Sequence, residues 1–316
     1  MKRTFVVGCP RSGTTIVQAM LARHPSVFTL PETAFFEHVH GNLAWRWGDA
    51  NAERRPPRLR QRLGFSRKYE RQLFLSLQQT TSTASGSPVR PPLRTRALER
   101  RFLLLLDEMA SAAEREMWLE KTPNHLLYLP EIEALAPDAR FVHVIRPGAE
   151  TIASLIDASL LFESDNAFGG GTIHWARRWN RAMQIHRARL DHPQHYLLFL
   201  EDLVAQPQLA WNDLCRFLGL DPGQALDDNC TQVIADLERE PWKRRALNGR
   251  LHAPENKVDS LFGPKVQHWL QAKLVSYDEL REQWLRTRST GEASRTARGP
   301  CMRSVAALSS GAGRAP

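Results

Sequence analysis

The chain has 316 residues, 42% hydrophobic and 24% charged, values typical of a globular protein that exclude a collagen-like, disulfide-scaffold or wholly disordered chain. Its 43 Lys and Arg exceed its 34 Asp and Glu, and the excess is local: residues 46–101 hold 14 basic and 4 acidic side chains, residues 286–316 hold 6 and 1, and the remainder holds 23 and 29. A basic segment on a mildly acidic remainder indicates an anionic ligand near that segment and argues against a nucleic-acid-binding surface.

The first predicted element is a strand over residues 4–7, which ends at Gly8 and leads through a turn into a helix over residues 14–23. Further strands are predicted at residues 117–120, 141–145 and 196–200, the last two followed by helices at residues 150–161 and up to residue 218. Strands that alternate with helices in this way predict an α/β fold, with a parallel β-sheet flanked by helices on both faces.

A long segment interrupts this alternation. Residues 37–116 predict a helical insertion, with helices at 67–79 and 97–115, into a single α/β domain that covers residues 1–285. The last residues, 286–316, consist largely of Arg, Ser, Gly and Ala, and we expect them to form a disordered basic tail.

The cysteines and the hydropathy pattern bear on the cellular compartment. None of Cys9, Cys215, Cys230 and Cys301 has the spacing of a metal site, and we interpret them as free thiols in a reducing compartment. No run reaches the roughly 18 to 20 apolar residues that a membrane span requires, and the first apolar run is too short for a signal peptide. We therefore expect a cytoplasmic protein without a membrane span.

Residues 8–15 read Gly-Cys-Pro-Arg-Ser-Gly-Thr-Thr and have the outline of a phosphate-binding loop, in which backbone N–H groups converge on one anion. Thr14 stands where a nucleoside triphosphatase loop carries lysine. Arg146 ends a later strand where such an enzyme would place an acidic magnesium ligand. A P-loop kinase or NTPase is therefore disfavoured but stays an alternative, as does a non-catalytic nucleotide-binding protein. A plain strand-to-helix turn at Gly8 and Gly13 also remains open.

The segment Pro10-Arg-Ser-Gly-Thr-Thr15 resembles the 5′-phosphosulfate loop of sulfotransferases that use 3′-phosphoadenosine 5′-phosphosulfate (PAPS), in the bacterial branch similar to tyrosylprotein and heparan-type enzymes. The resemblance extends over residues 4 to about 220 and is weakest in the insertion. It implies a P-loop-type fold, PAPS as co-substrate and no metal. It also implies which residues bind PAPS: Arg11, Ser12, Gly13, Thr14 and Thr15 at the 5′-phosphosulfate, and Arg146 and Ser154 at the 3′-phosphate.

The same resemblance implies the catalytic residues. Glu32 matches the catalytic glutamate and would accept the proton of the acceptor hydroxyl or amine, while Arg11 and Lys121 would stabilise charge on the transferring group. Glu32 is also well placed as a carboxylate at a helix N-terminus, a compatible interpretation. In the cytosolic branch a histidine base follows the Lys-Thr pair, but here Pro123 follows and His125 is displaced, which favours Glu32 over His125.

Two further features are less specific. Lys257 matches a late cofactor-binding lysine of some members of the family. The Arg-rich stretch 54–71 is either a solvated face or an electrostatic funnel for an anionic acceptor or for PAPS. The acceptor itself is left open between a glycan, a lipid, a peptide tyrosine and a small secondary metabolite.

Overall fold

A sheet of five parallel strands forms the centre of the protein in a computed structural model that describes residues 1–79, 90–162, 168–227, 230, 232–238, 240–247, 249, 251 and 256–297. The strands are β1 (Lys2–Gly8), β2 (Val27–Thr29), β3 (Met117–Lys121), β4 (Arg140–Ile145) and β5 (His195–Phe199). They pair in the order β2-β3-β1-β4-β5, and each pairing is parallel. Strand β1 is therefore central, with β3 and β4 beside it.

Helices cover both faces of this sheet. Every residue of β3 and β5 is buried, and successive strand residues point to opposite faces, so neither face is open to solvent. Along the chain the described helices are α1 (Thr14–Ala22), α2 (Phe35–His40), α3 (Leu43–Trp47), α4 (Leu59–Arg62), α5 (Lys68–Gln79), α6 (Thr95–Ala112), α7 (Leu129–Leu135), α8 (Gly148–Leu161), α9 (Gly171–Arg187), α10 (Leu200–Ala205), α11 (Pro207–Leu218), α12 (Lys257–Leu261), α13 (Pro264–Lys273) and α14 (Tyr277–Ala297), with 3₁₀ helices at Pro123–Tyr128 and Pro241–Ala246.

Aromatic side chains pack across the three middle strands. The ring of Phe5 on β1 stacks on Phe141 of β4 at 5.6 Å and meets Trp118 of β3 edge-on at 5.2 Å. All three side chains are fully buried. Because burying one aromatic side chain contributes on the order of 2 kcal/mol, this cluster holds the strands that carry the site in register.

The predicted α/β class is confirmed, and the four predicted strands are found with ends that differ by at most two residues. Two local features differ from the prediction. Leu200, predicted as the last residue of a strand, begins helix α10. Strand β2 is not among the predicted strands, because three residues at a sheet edge are too few to establish a period of two.

The described residues of the insertion between β2 and β3 form helices α2 to α6, which are joined by loops. The helices predicted at 67–79 and 97–115 are α5 and α6. Helix α6 buries one face, with Leu98, Phe102 and Leu106, and packs on β2 and β3. An isolated antiparallel bridge joins Phe65 in the Arg-rich stretch to Arg94, the residue before α6.

Helix α14 continues to Ala297, past residue 286, where the sequence predicted a disordered tail to begin. Its first half is anchored by Leu280 and Trp284 in the core. The guanidinium of Arg288 lies 3.2 Å from the Tyr196 hydroxyl and 2.8 Å from Asp213. These contacts extend the helix beyond the point where its hydrophobic content falls. Residues 298–316, with Cys301, lie outside the described residues.

The described part of the chain contains no helix that is both long and apolar enough to cross a bilayer. Cys9, Cys215 and Cys230 are free thiols, the first two buried. Burial raises the pKa of Cys9 to about 12, so that thiol stays protonated near neutral pH. The cytoplasmic location stays a prediction.

Candidate active site

The carboxyl ends of three neighbouring strands carry the predicted site residues. The loop of residues 9–13 follows β1, Lys121 is the last residue of β3, and Arg146 comes directly after β4. Because these strands are parallel and adjacent in the order β3-β1-β4, their carboxyl ends meet at one edge of the sheet. Residues separated by more than a hundred positions in the sequence therefore face one cleft.

The loop after β1 turns too tightly for side chains at its glycines. A Cβ at Gly8 would lie 2.5 Å from the carbonyl oxygen of Val144, and Gly13 has a φ of 103°. Arg11 also has a positive φ, 68°, which is unfavourable for a residue with a Cβ. Helix α1 starts directly after Gly13, so the N–H groups of its first turn are available to a ligand anion.

Two arginines and a serine from different elements meet beside this loop. The Nε of Arg11 donates to the Ser154 hydroxyl on α8 at 3.2 Å. Burial lowers the pKa of Arg11, and the nearby charge of Arg146 lowers it further. The side chain of Arg146 is largely buried and contacts Glu150 at 3.1 Å. A multiply charged phosphate between these two guanidinium groups would be stabilised by both positive charges.

Ser12 adds a polar atom that needs a partner. Its hydroxyl is buried, and the described residues provide no hydrogen-bond partner for it. Buried polar groups without a partner are uncommon in folded proteins, and a bound ligand is one way of satisfying them. The helix N-terminus, the two guanidinium groups and this hydroxyl have the chemistry that a phosphorylated co-substrate requires.

Glu32 lies at the same edge, between two lysines. One carboxylate oxygen, Oε1, accepts hydrogen bonds from the ammonium groups of Lys121 and of Lys243, the latter at 2.6 Å. Burial opposes ionisation of Glu32, but the two positive charges outweigh it, so the pKa of Glu32 is lowered. Glu32 is therefore an ionised carboxylate at neutral pH, and it can accept a proton.

Lys121 connects the carboxylate to the start of α1, directly after the loop that follows β1. Its side chain is fully buried, and its Nζ also donates to the Thr15 hydroxyl at 3.3 Å. Burial lowers the pKa of Lys121, while the charge of Glu32 acts in the opposite direction. Lys121 thus links Thr15 at the start of α1 to Glu32, and Arg11 lies four residues before Thr15 in the chain. The roles assigned to these residues in binding and catalysis stay predictions.

His125 is held in a separate buried network. Its Nε2 accepts the backbone N–H of Phe36 at 3.3 Å, and its Nδ1 lies 2.9 Å from Glu120. The ring is fully buried, and both nitrogens have partners within the protein. Neither ring nitrogen of His125 is thus left for an acceptor in this structure, and the choice of Glu32 as the base stays a prediction.

Lys257 is the first residue of α12, which packs against α8. Its ammonium contacts the carboxylate of Asp157, about one helical turn beyond Ser154. This position is near the Arg11 and Ser154 pair, because the charge of Asp157 affects the pKa of Arg11. The binding of a co-substrate by Lys257 stays a prediction.

Lys243 was missed by the sequence analysis. It lies in the 3₁₀ helix Pro241–Ala246, which has no motif and no regular spacing from the other site residues. Its contact with Glu32 spans 211 positions and depends on how the chain after the sheet returns to the cleft. The neighbouring sequence Trp242-Lys243-Arg244 is basic but offers no signal specific to a site.

Comparison with known proteins gives a consistent family. A family model described as "Sulfotransferase family" matches residues 4–223. Protein-tyrosine sulfotransferase 2 of Gallus gallus is 23% identical over 230 residues, which are 70% of this chain and 52% of the relative. Protein-tyrosine sulfotransferase 1 of Danio rerio is 24% identical over 227 residues, 70% of this chain and 54% of the relative. The chain spans about half the length of these curated relatives.

Similar solved structures are more distant in sequence. A sulfotransferase domain from the curacin biosynthetic pathway has a TM-score of 0.46 and 16% identity, and the match covers 87% of this chain and 99% of that one. A mouse sulfotransferase complexed with PAP has a TM-score of 0.41 and 14% identity, and the match covers 93% of this chain and 88% of that one.

Proposed function

The chain belongs to the sulfotransferase family, and we propose that it moves the sulfuryl group of PAPS to a hydroxyl or amine of an acceptor, with Glu32 as the general base. The observation that carries the proposal is the convergence of three groups at one edge of the sheet. These groups are the phosphate-binding loop, the arginine pair, and an ionised carboxylate linked to the loop through Lys121.

PAPS supplies a sulfuryl group already activated on its 5′-phosphate. In the proposal, Arg11 and the N–H groups at the start of α1 bind the 5′-phosphosulfate, with the hydroxyls of Ser12, Thr14 and Thr15 nearby. Arg146 and Ser154 bind the 3′-phosphate, and Lys257 borders them. Binding by this set needs no metal, because the cations are supplied by the chain.

Glu32 takes up the proton of the acceptor as the acceptor oxygen or nitrogen bonds to sulfur and the bond from sulfur to the 5′-phosphate oxygen breaks. Lys121 and Arg11 stabilise the negative charge that develops on the leaving oxygen and on the transferring group. Because Lys121 contacts both Glu32 and Thr15, the base and the phosphate loop are held at a fixed separation.

A kinase or NTPase is disfavoured at the same site. The loop carries Thr14 where a lysine would contact phosphates, and Arg146 follows β4 where such enzymes place a magnesium ligand. A nucleotide-binding protein without catalysis would keep the loop and the arginines, and it would have no need of an ionised Glu32 held by two lysines.

The test is transfer of labelled sulfate. Purified protein is incubated with PAPS and fractionated cell extract, and mass spectrometry identifies components that gain sulfate, with and without a metal chelator. We expect transfer in both conditions. Glu32→Gln should reduce transfer by roughly 100-fold or more while PAP still binds, and the exposed Glu116→Gln serves as the control. Wild-type turnover by the Glu32 variant would exclude Glu32 as the base, and PAP binding without any transfer would support the non-catalytic alternative.

A further inference from the structure

Lys243 is a largely buried cation at the candidate base. It lies beyond residues 4–223, which match the family. Its side chain is only 6% exposed, and its ammonium contacts Oε1 of Glu32 at 2.6 Å and the carboxylate of Glu240. A buried ammonium is costly unless it is paired, so this arrangement has a specific electrostatic consequence for Glu32.

We propose that Lys243 is a positioning residue, whose ammonium orients the carboxylate of Glu32 and keeps it ionised. The negative charge of Glu240 partly offsets the positive charge that Lys243 presents to Glu32. This inference rests on the proposed function, in which Glu32 accepts the proton of the acceptor. Lys243 acts through Glu32 and has no contact with the phosphate-binding loop among the described residues.

The charged groups around Glu32 define the direction of the effect. Lys121 faces it from β3, Lys243 faces it from the 3₁₀ helix, and Glu240 lies against Lys243. Helix α1 contributes only the neutral Thr15 hydroxyl, which binds Lys121. Burial disfavours the ionised carboxylate, and the pKa of Glu32 is lowered only because two positive charges outweigh burial.

The two lysines have different second partners. Lys121 also binds Thr15 in the loop, next to the place of the transferring group, so its charge is divided between Glu32 and that group. Lys243 instead pairs with Glu240, and no hydrogen bond joins it to the hydroxyl of Thr15 among the described residues. Lys243 can therefore hold Glu32 ionised and oriented while Lys121 stabilises the transferring group.

Packing fixes the segment that carries Lys243. The neighbouring Trp242 meets the rings of Phe162 and Phe168 edge-on at 5.5 and 5.1 Å. The 3₁₀ helix also contacts α1, and at Gly249 a Cβ would lie 3.2 Å from the backbone oxygen of Ala19 on α1. The segment that carries Lys243 thus packs against α1, the helix whose first turn would bind the 5′-phosphosulfate.

The test compares pH profiles of kcat/KM for sulfate transfer in variants that change charge with opposite sign. Lys243→Met removes a positive charge, so the acidic limb of the profile should move to higher pH. Glu240→Gln removes a negative charge, so the same limb should move to lower pH. Lys243→Arg keeps the positive charge, so its acidic limb should lie at a pH close to that of the wild type. The exposed Lys265→Met should leave the acidic limb at the wild-type pH.

Opposite shifts distinguish electrostatics from damage to the fold, because a purely structural role would reduce activity in both variants without moving the limbs apart. An unmoved limb in Lys243→Met, or shifts of the same sign in both variants, would overturn the proposal. A carbon-13 NMR titration of the Glu32 carboxyl, assigned with Glu32→Gln, gives the same comparison without turnover. A protein that transfers no sulfate but shows the opposite shifts would therefore contradict only the proposed function.

Discussion

Gly8 shows at the scale of single residues how the site constrains the chain. The backbone of β4 passes so close that even a methyl group at this position has no space, since the nearest atom belongs to the Val144 carbonyl rather than to a flexible side chain. Arg11 then adopts a left-handed conformation and Gly13 another, so that the next residue can begin α1. A local pattern of glycines and polar residues is enough to predict such a loop, because all its constraints lie within a few residues.

We expect Gly8→Ala to destabilise the protein by about 1–3 kcal/mol, because β1 and β4 must separate to admit the methyl group. Chemical denaturation measures this change. The matched control is Gly263→Ala, where no atom lies within 4 Å of the new Cβ. Equal effects of the two substitutions would contradict the tight approach at Gly8.

Arg146→Ala should weaken the binding of PAP by roughly 10- to 100-fold, because a charge-assisted contact with a phosphate would be lost. Isothermal titration calorimetry measures the affinity. Arg216→Ala removes an exposed arginine on α11 and should leave the affinity unchanged. An unaltered affinity in the Arg146 variant would remove this residue from the proposed 3′-phosphate site.

At the scale of elements, a histidine cluster joins β4, β5 and α9. His143 contacts His186 through its Nδ1 at 2.9 Å and His195 through its Nε2 at 2.8 Å. Burial lowers the pKa of His186 and of His195 to about 3, and burial with the neighbouring imidazoles lowers that of His143. The sequence placed His143 inside a strand, but its two partners are visible only once the elements pack.

This cluster predicts acid sensitivity. The three histidines are neutral in the folded protein but bind protons in the unfolded chain below pH about 6.5. The free energy of unfolding is therefore unaffected by these histidines above that pH. It decreases as the pH falls toward about 3, because the unfolded chain binds protons that the folded protein does not. Each histidine should contribute a slope approaching 1.4 kcal/mol per pH unit.

Chemical denaturation at a series of pH values between about 7 and about 4 measures how the free energy of unfolding depends on pH. His186→Leu should make this dependence less steep, whereas the exposed His268→Gln should not change it. A slope that is the same in wild type and in His186→Leu would show that the cluster does not titrate as inferred.

At the scale of the whole molecule, positive charge is concentrated in the insertion. Three arginines of α4 and its N-cap are exposed: Arg58, Arg60 and Arg62. A nearby groove of about 780 Å³ is lined by His40, Gly64, Arg94, Arg96 and Arg100 among others. His40 ends α2, which begins three residues after Glu32. This charge lies outside the arginine pair that would bind PAPS, and we predict that it acts on the acceptor.

Replacing Arg58, Arg60 and Arg62 together by Gln should raise the KM for an anionic acceptor several-fold and leave PAP affinity nearly unchanged. The difference from wild type should decrease at high salt, because exposed charges are screened. Steady-state kinetics with an acceptor identified by mass spectrometry, at two ionic strengths, tests this. A larger effect on PAP binding than on acceptor use would reassign the charge to the co-substrate.

By itself the sequence determined two features: the alternation of strands with helices, and the glycine-containing loop after β1. Both depend on hydrophobic runs, turns and glycines, which act over neighbouring residues. The sequence also indicated Glu32 and Lys121 by resemblance. Only the tertiary structure decided that Lys243, 211 positions from Glu32, shares its carboxylate, and that His125 is fully occupied by Glu120 and Phe36. Such contacts depend on how distant segments pack against one sheet edge, and no local pattern in the chain encodes that distance.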